Sequence, residues 1–107
     1  MKNDEVFINQ ILEAISKIES FTAGLDAAGF SKDQKTQSAV ILQLLLIGEI
    51  AKKISPEKRS TIDLPWREIA GFRDRAIHNY FEIDLDIVWQ TLISDLPEVK
   101  EKLKTIS

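Results

Sequence analysis

The sequence predicts an all-α protein, folded as an antiparallel bundle of four to five helices. Apolar residues recur at helical spacing in every long segment of the 107-residue chain. The connections between these segments are short, as they are between antiparallel neighbours in a helix bundle. One domain is the natural expectation for this length, so we assign residues 1–107 to a single helical domain.

The first helix is predicted to run from Asp4 to about Thr22. Its apolar face consists of Phe7, Ile8, Ile11, Leu12, Ile15, Ile18 and Phe21. Charged side chains lie between these positions, so the helix is amphipathic. Gly24 and residues 27–29 are expected to interrupt the helical pattern.

The second helix is predicted to begin at a capping box that Ser31 and Gln34 form. Residues 39–51, AVILQLLLIGEIA, are apolar nearly all round, so we expect this helix to be the most buried element, with other helices on several sides. Glu49 is a charged residue within this run. It faces a polar seam or pairs with a lysine, or it lines the cleft of the candidate site.

Prolines mark the next boundaries. The second helix is predicted to run to about Ile54, where Ser55 and Pro56 stop it. A charged connector follows over residues 56–64, with room for one short helical turn. Pro65 then occupies the first turn of a third helix that starts at Trp66. The buried side of this helix is assigned to Ile69, Phe72, Ala76 and Ile77.

A turn after the third helix leads to the C-terminal helices. Phe81 and Ile83 are expected to anchor this turn, and Asp84 is a candidate N-cap for a fourth helix. The apolar face of that helix is Leu85, Val88, Trp89, Leu92 and Ile93. Pro97 kinks or restarts the helix, and residues 98–107 are predicted to form a final short helix.

The composition excludes several classes of protein. The chain has no cysteine, so it can form neither a disulfide framework nor a thiolate metal site. No apolar run approaches the roughly 20 residues that span a bilayer, and the acidic N-terminus is unlike a signal peptide. We therefore expect a cytoplasmic protein with no membrane contact. Because the net charge is −3, any nucleic-acid site must be a local basic patch.

The third helix ends in an unusual concentration of polar side chains. Six of the eight residues from position 73 to position 80 are charged, amide-bearing, imidazole or phenol residues, and one is the only histidine of the chain. These six residues are Arg73, Asp74, Arg75, His78, Asn79 and Tyr80. An exposed helix has no structural need for this combination, so the stretch is the candidate functional site.

Helix geometry constrains how these side chains can act together. Asp74 lies one turn before His78 and can orient its imidazole, which leaves the other ring nitrogen for chemistry. Arg73 lies about 140° around the helix from His78, so the two need another way to meet. Either the helix ends near Asn79, or a second copy of the chain supplies the missing partner across a two-fold axis.

Arg73, His78 and Tyr80 match the R-x4-H-x-Y signature of the HEPN superfamily. The flanking segments PWREIAGFRDRAIHNYF and DLDIVW, and more loosely IGEIAKKI, resemble its small HepT-like toxins. The resemblance covers the chain and implies a HEPN-like helical domain with metal-independent endoribonuclease activity on transfer or messenger RNA. It also implies a homodimer with a composite active site between the subunits, and it implies no cofactor.

The resemblance further implies a role for each residue. Arg73 would hold the scissile phosphate, and His78 would act as general acid or base. Asp74 would orient His78, Arg75 together with Arg67 would extend the basic surface along the RNA, and Asn79 would support the site.

Tyr80 carries a separate expectation. In HepT-like toxins of type VII-like toxin–antitoxin pairs, a nucleotidyltransferase antitoxin attaches AMP to the tyrosine of this motif. AMPylation of Tyr80 would place bulk and negative charge beside Arg73 and oppose RNA binding. The expected partners are thus RNA, a nucleotidyltransferase antitoxin and a second copy of the chain.

Each candidate residue also has a structural interpretation. His78 can be a packed or capping side chain, Arg73 can pair with Asp74 or Glu49, and Tyr80 can belong to the core with its hydroxyl in water. Trp66 and Trp89 are most simply core or dimer-anchoring residues. A non-catalytic HEPN-type binding module that docks a nucleotidyltransferase or a nucleotide is therefore the alternative to the enzyme, and a structural interaction domain is a third option.

Overall fold

The computed structural model describes the backbone of residues 2–78 and 80–106, and their side chains except those of Lys2, residues 73–80 and Ile106. Every element in these ranges is helical, which confirms the predicted all-α bundle. The helices are α1 (Lys2–Thr22), α2 (Ala27–Lys32), α3 (Gln34–Ala51), α4 (Pro56–Ser60), α5 (Trp66–His78), α6 (Leu85–Gln90) and α7 (Leu96–Ile106). A 3₁₀ turn (Tyr80–Glu82) follows α5, and a π-helical segment (Thr91–Asp95) joins α6 to α7.

The core lies between α1, α3 and the C-terminal helices. Helix α3 packs along both α1 and α5, and α7 packs against α1. Helix α1 contributes its predicted isoleucines, and the other helices contribute buried aliphatic side chains. The core cluster includes Ile8, Ile11, Ile15, Ile18, Phe30, Val40, Leu44, Ile47, Val88, Leu96, Val99 and Leu103. Because α3 lies between α1 and α5, it determines where α5 is placed.

Helix α2 corrects one prediction about the segment after α1. Gly24 ends α1 with a positive φ of 81°, as expected, but residues 27–29 are helical and do not interrupt the pattern. Asp26 caps α2, since its carboxylate accepts a hydrogen bond from the Gly29 N–H at 2.8 Å. Phe30 of this short helix is buried against the ring of Trp89, with 5.1 Å between the ring centroids.

The predicted capping box of Ser31 and Gln34 is wrong. Ser31 lies inside α2, and its hydroxyl donates to the Ala28 carbonyl at 2.8 Å. Asp33 caps α3 instead, because its carboxylate accepts from the Thr36 N–H at 3.0 Å and from the Thr36 hydroxyl at 2.7 Å. These two hydrogen bonds stabilise the ionised carboxyl and lower the pKa of Asp33.

Helix α3 is less completely buried than its composition predicts. Leu42 and Leu46 are 52% and 41% exposed, although they belong to the run that is apolar nearly all round. The two leucines are four residues apart and therefore lie on one stripe of the helix. The neighbouring helices cover the other faces of α3 and leave this stripe open to solvent.

The connector after α3 is held to the start of the chain by Asp4. Its side chain is only 3% exposed and accepts hydrogen bonds from the Ser55 N–H at 2.8 Å and the Ser55 hydroxyl at 2.7 Å. Ser55 also caps α4, as its hydroxyl oxygen accepts from the Lys58 N–H at 3.2 Å. The hydrogen bond from the Ser55 N–H lowers the pKa of Asp4 most, and the one from the Ser55 hydroxyl lowers it further.

The C-terminal helices α6 and α7 are joined without a loop. Asp84 caps α6 as predicted, and the Leu96 N–H donates to the Thr91 carbonyl, a five-residue step that belongs to a π-helix. Pro97 lies in the first turn of α7, where it restarts the α-helical pattern as predicted. The π-helical segment thus precedes a residue that cannot donate a backbone hydrogen bond.

The turn after α5 is anchored by one of its two predicted residues. Ile83 is half-buried and packs against the core, but Phe81 is 98% exposed. The prediction that Phe81 anchors the turn is therefore wrong. Both tryptophans pack against the core, in agreement with their predicted structural role.

Candidate active site

Helix α5 carries the candidate site, and its N-terminal end is firmly attached. The indole N–H of Trp66 donates to the backbone carbonyls of Arg59 at 3.1 Å and Ile62 at 3.0 Å. The Ile69 N–H donates to the Pro65 carbonyl at 3.0 Å, which closes the first turn. Because these hydrogen bonds and the buried side chains of Ile62 and Leu64 hold this end, the direction of α5 is set before the chain reaches the polar stretch.

The polar stretch occupies the last turns of α5. The helix continues to His78, so Arg73, Asp74, Arg75 and His78 share one helix. Their side chains, and that of Tyr80, lie outside the described residues, and Asn79 lies outside them altogether. Along a helix, Arg73 and His78 are separated by about 7.5 Å of rise and about 140° of rotation, whereas Asp74 and His78 are neighbours. The predicted roles of these six residues therefore stay predictions.

Helix α3 lies beside the turn of α5 that precedes Arg73. Leu44 and Ile47 of α3 line a cleft together with Ile69 and Phe72 of α5. The exposed stripe of Leu42 and Leu46 thus belongs to the part of α3 that borders the candidate site. An exposed aliphatic stripe beside a polar helix end is typical of a protein–protein interface.

This part of α3 also carries polar side chains. Gln43 is 8% exposed and was not singled out in the sequence, because a glutamine within an apolar run gives no specific signal. With Asp4 it makes up the buried polar side chains of the described part of the chain. Glu49 is half-buried one to two turns further along α3.

Positive charge is concentrated around α5. Seven of the 14 lysines and arginines lie within residues 52–75, together with four carboxylates, in a chain whose net charge is −3. Lys52, Lys53 and Arg67 are exposed, and the Lys53 ammonium lies 5.9 Å from the centroid of the Phe7 ring. Residues 52–75 thus carry three more cations than carboxylates, and such a local excess is what a nucleic-acid site on an acidic protein requires.

The described residues contain no cluster of three or more potential metal ligands from histidine, cysteine, aspartate or glutamate. Nor is any helix in the described ranges long and apolar enough to cross a membrane.

A family model described as "Ribonuclease HepT-like" matches residues 11–106, which include the whole of α5. The chain belongs to the HepT-like ribonuclease family. This confirms the resemblance to the HEPN superfamily that the R-x4-H-x-Y signature indicates. Membership of this family supports a ribonuclease function and RNA as the substrate class.

Individual relatives agree with the family assignment. The "Probable ribonuclease HepT" of Thermococcus cleftensis is 42% identical over 101 residues, which cover 94% of this chain and 92% of that HepT-like protein. A protein of Caldanaerobacter subterraneus named "Putative RNase" is 33% identical over 107 residues, with 99% of this chain and 96% of the relative covered.

A third relative, from Methanocaldococcus jannaschii, is a longer protein named "Gamma-glutamylcyclotransferase and putative RNase". It is 35% identical over 106 residues, and this HepT-like chain spans 98% of its own length but only 48% of the relative. No solved structure matches the chain.

Proposed function

We propose that this HepT-like protein is a metal-independent endoribonuclease that works as a homodimer in the cytoplasm, as one HEPN-like domain over residues 1–107. The proposal rests above all on the placement of Arg73 and His78 on the last turns of α5, in a chain of the HepT-like ribonuclease family. The concentration of cations in residues 52–75 further supports it.

The proposed reaction needs no metal ion, because Arg73 supplies the positive charge and His78 carries out the proton transfers. His78 takes the proton from a ribose 2′-hydroxyl, and the resulting 2′-oxygen attacks the adjacent phosphorus. The bond to the 5′-oxygen then breaks, and the His78 imidazolium returns the proton to this oxygen as it leaves. Arg73 holds the phosphate oxygens while negative charge accumulates on them, and Asp74 keeps the imidazole oriented. The products are a 2′,3′-cyclic phosphate and a 5′-hydroxyl.

The composite site follows from the position of Arg73 and His78 on one helix. Positions five residues apart on a helix are rotated by about 140°, so a second copy of α5 across a two-fold axis can bring an arginine of one subunit to the histidine of the other. The exposed stripe of Leu42 and Leu46 supports an interface at this place, since large exposed aliphatic side chains mark contact surfaces. Arg75 and Asn79 would extend and support the shared cleft.

The same site suggests how the enzyme is controlled. As a toxin of a type VII-like toxin–antitoxin pair, it would cut transfer or messenger RNA until a nucleotidyltransferase antitoxin attaches AMP to Tyr80. The phosphate of the adduct would then occupy the region of Arg73 and exclude the RNA backbone. Tyr80 begins the 3₁₀ turn directly after the polar helix end, and this position in the chain supports the proposal.

The test is cleavage of total RNA by the purified protein in EDTA. Intact mass is measured first, so that AMPylated and unmodified protein are distinguished. We expect unmodified wild-type protein to cut and to leave cyclic phosphate ends, while folded His78→Ala and Arg73→Ala proteins lose at least a hundredfold in rate. Lys17→Ala, which removes an exposed cation of α1 outside residues 52–75, is the control and should cut at the wild-type rate.

The alternative is a binding module that docks a nucleotidyltransferase or a nucleotide without turnover. The net charge of −3 favours it, because an acidic chain attracts RNA only through a local patch. If unmodified wild-type protein leaves every RNA intact, this alternative replaces the enzyme.

A further inference from the structure

A cleft of about 260 Å³ lies where α3, α5 and the C-terminal helices meet. It is bordered by α3, by the first two turns of α5, and by the π-helical segment with the start of α7. The described residues that line it are Leu44, Ile47, Leu64, Pro65, Glu68, Ile69, Phe72, Thr91, Asp95, Leu96, Glu98 and Val99. Three elements that are distant in sequence therefore meet at one concave surface.

The floor of this cleft is aliphatic and aromatic, but its rim is acidic. Glu68, Asp95 and Glu98 are its charged residues, and no lysine, arginine or histidine is found among its described lining. Glu98 is already paired with the Lys102 ammonium at 3.1 Å. Glu68 and Asp95, both exposed and on opposite walls, are the carboxylates that an incoming cation would meet.

The size and shape of the cleft favour inserted side chains over an enclosed small molecule. Pockets that enclose drug-sized ligands measure roughly 300–1,000 Å³, and this cleft is smaller. The Thr91 hydroxyl at its edge donates to the Ile87 carbonyl at 2.9 Å, so it is occupied within its own helix. An open aliphatic groove between helices is the shape that accepts the apolar face of another helix.

We propose that this cleft docks a basic amphipathic helix of a protein partner. Its aliphatic side chains would fill the groove over Ile69 and Phe72, and its lysines or arginines would lie over Glu68 and Asp95. The inference rests on the cleft alone and does not depend on the ribonuclease proposal. Because Phe72 is the residue before Arg73, a docked helix would contact the same helix that carries the polar stretch.

The charges argue against two other occupants. An acidic rim repels RNA phosphates, so the cleft is not an extension of the basic patch. A second copy of this chain is less suited, because two of the three lysines of its amphipathic C-terminal helix α7 are already paired within the chain. Lys100 lies 3.0 Å from Glu19, and Lys102 pairs with Glu98.

The experiment uses a synthetic, fluorescein-labelled peptide of about 18 residues, with leucines at helical spacing and lysines on the flanks of the leucine face. Binding to the full chain is followed by fluorescence anisotropy. Control peptides carry the same residues in scrambled order, or glutamates in place of the lysines. We expect the leucine–lysine peptide to bind and both controls to bind at least tenfold more weakly.

The protein variants test the location of binding. Glu68→Lys combined with Asp95→Lys should weaken binding of the leucine–lysine peptide at least tenfold. The matched control, Glu5→Lys combined with Glu13→Lys, makes the same change of net charge on exposed residues of α1 and should stay within about twofold. Methyl NMR should show shifts at Ile47, Ile69 and Val99.

Three results would overturn the proposal. The first is no binding of the leucine–lysine peptide up to about 1 mM. The second is equal loss of binding in the rim variant and the α1 control variant, or methyl shifts that avoid the cleft. The third is a change of oligomeric state in the rim variant alone, which would make a second copy of the chain the occupant.

Discussion

The carboxylate of Asp4 joins the first turn of α1 to the connector after α3, two parts of the chain that lie 51 residues apart. The same Ser55 that donates to Asp4 also caps α4. One carboxylate thus supports the segment that leads into α5. The same segment holds the N-terminal end of α5, because its Arg59 and Ile62 carbonyls accept hydrogen bonds from the Trp66 indole. Loss of this carboxylate should therefore lower the stability of the whole bundle.

We predict that Asp4→Asn lowers the melting temperature at pH 7 by about 5 °C, because the amide cannot accept both hydrogen bonds as a carboxylate does. The pKa of Asp4 is lowered in the folded state, so its contribution is complete above the unfolded value of about 3.9. That contribution is lost as the pH falls through the lower folded value. The difference between wild type and variant should thus shrink below about pH 4.

Thermal unfolding followed by circular dichroism at a series of pH values measures this difference. Asp86→Asn, at an exposed carboxylate in the first turn of α6, is the matched control and should change the melting temperature little at any pH. A difference between wild type and Asp4→Asn that stays constant down to pH 2 would contradict the role assigned to the ionised carboxyl.

At the scale of elements, the ends of the helices decide how the short N-terminal helices are arranged. Gly24 adopts a positive φ of 81° immediately after α1 and reverses the chain toward α2. A β-carbon at this position would meet no heavy atom within 4 Å, so the requirement for glycine lies in the backbone conformation alone. This conformation costs free energy for residues other than glycine, and the cost is smaller for asparagine.

Gly24→Ala is therefore expected to reduce the free energy of unfolding by about 1 kcal/mol, and Gly24→Asn by less. Urea denaturation followed by circular dichroism provides both values. Ala23→Gly, one residue earlier and exposed, tests whether flexibility alone alters the stability. If alanine and asparagine prove equally harmful, contacts and not the backbone conformation would explain the loss.

At the scale of the whole molecule, the exposed stripe of Leu42 and Leu46 is what a dimer would cover. These side chains stay 52% and 41% exposed among the described residues. Two other exposed aliphatic residues, Ile87 and Ile93, lie on the C-terminal helical run and provide a comparison.

We predict that Leu42→Glu combined with Leu46→Glu converts a dimer into a monomer and abolishes RNA cleavage, because charged side chains oppose burial at the interface. Light scattering coupled to gel filtration measures the mass, and the EDTA cleavage assay measures the activity. Ile87→Glu combined with Ile93→Glu should leave both unchanged. A wild-type protein that is already a monomer, or a monomeric variant that still cleaves at the wild-type rate, would contradict the proposed active site between two subunits.

The fold was largely predictable because most helix boundaries carry a single clear signal. Gly24, Asp84 and the Pro65–Trp66 pair each offer one solution, and the structure follows it. The start of α3 was mispredicted because Ser31 and Asp33 both stand near it, and a hydrogen-bonding pattern in sequence does not choose between competing caps. The exposure of Leu42 was also unpredictable, since an apolar run does not say which of its faces remains uncovered.

The candidate site and the acidic cleft likewise differ in how far the sequence predicts them. The stretch from Arg73 to Tyr80 is contiguous, so the sequence alone could identify it. The acidic cleft is assembled from residues as far apart as Leu44 and Val99, and only packing brings them together. Glu68 and Asp95 carry no local pattern that would distinguish them from other surface carboxylates.

The contact between Phe30 and Trp89 gives the protein a natural optical reporter. The two rings are tilted by 32° and close enough for their electronic transitions to couple, whereas the only other tryptophan, Trp66, is tied by its indole N–H to the base of α5. Single Trp→Phe replacements would therefore separate two intrinsic fluorescence signals. The Trp89 signal reports whether α2 remains packed on α6, and the Trp66 signal reports whether the N-terminal end of α5 remains attached. The rate at which either contact is lost can therefore be measured in the unlabelled protein.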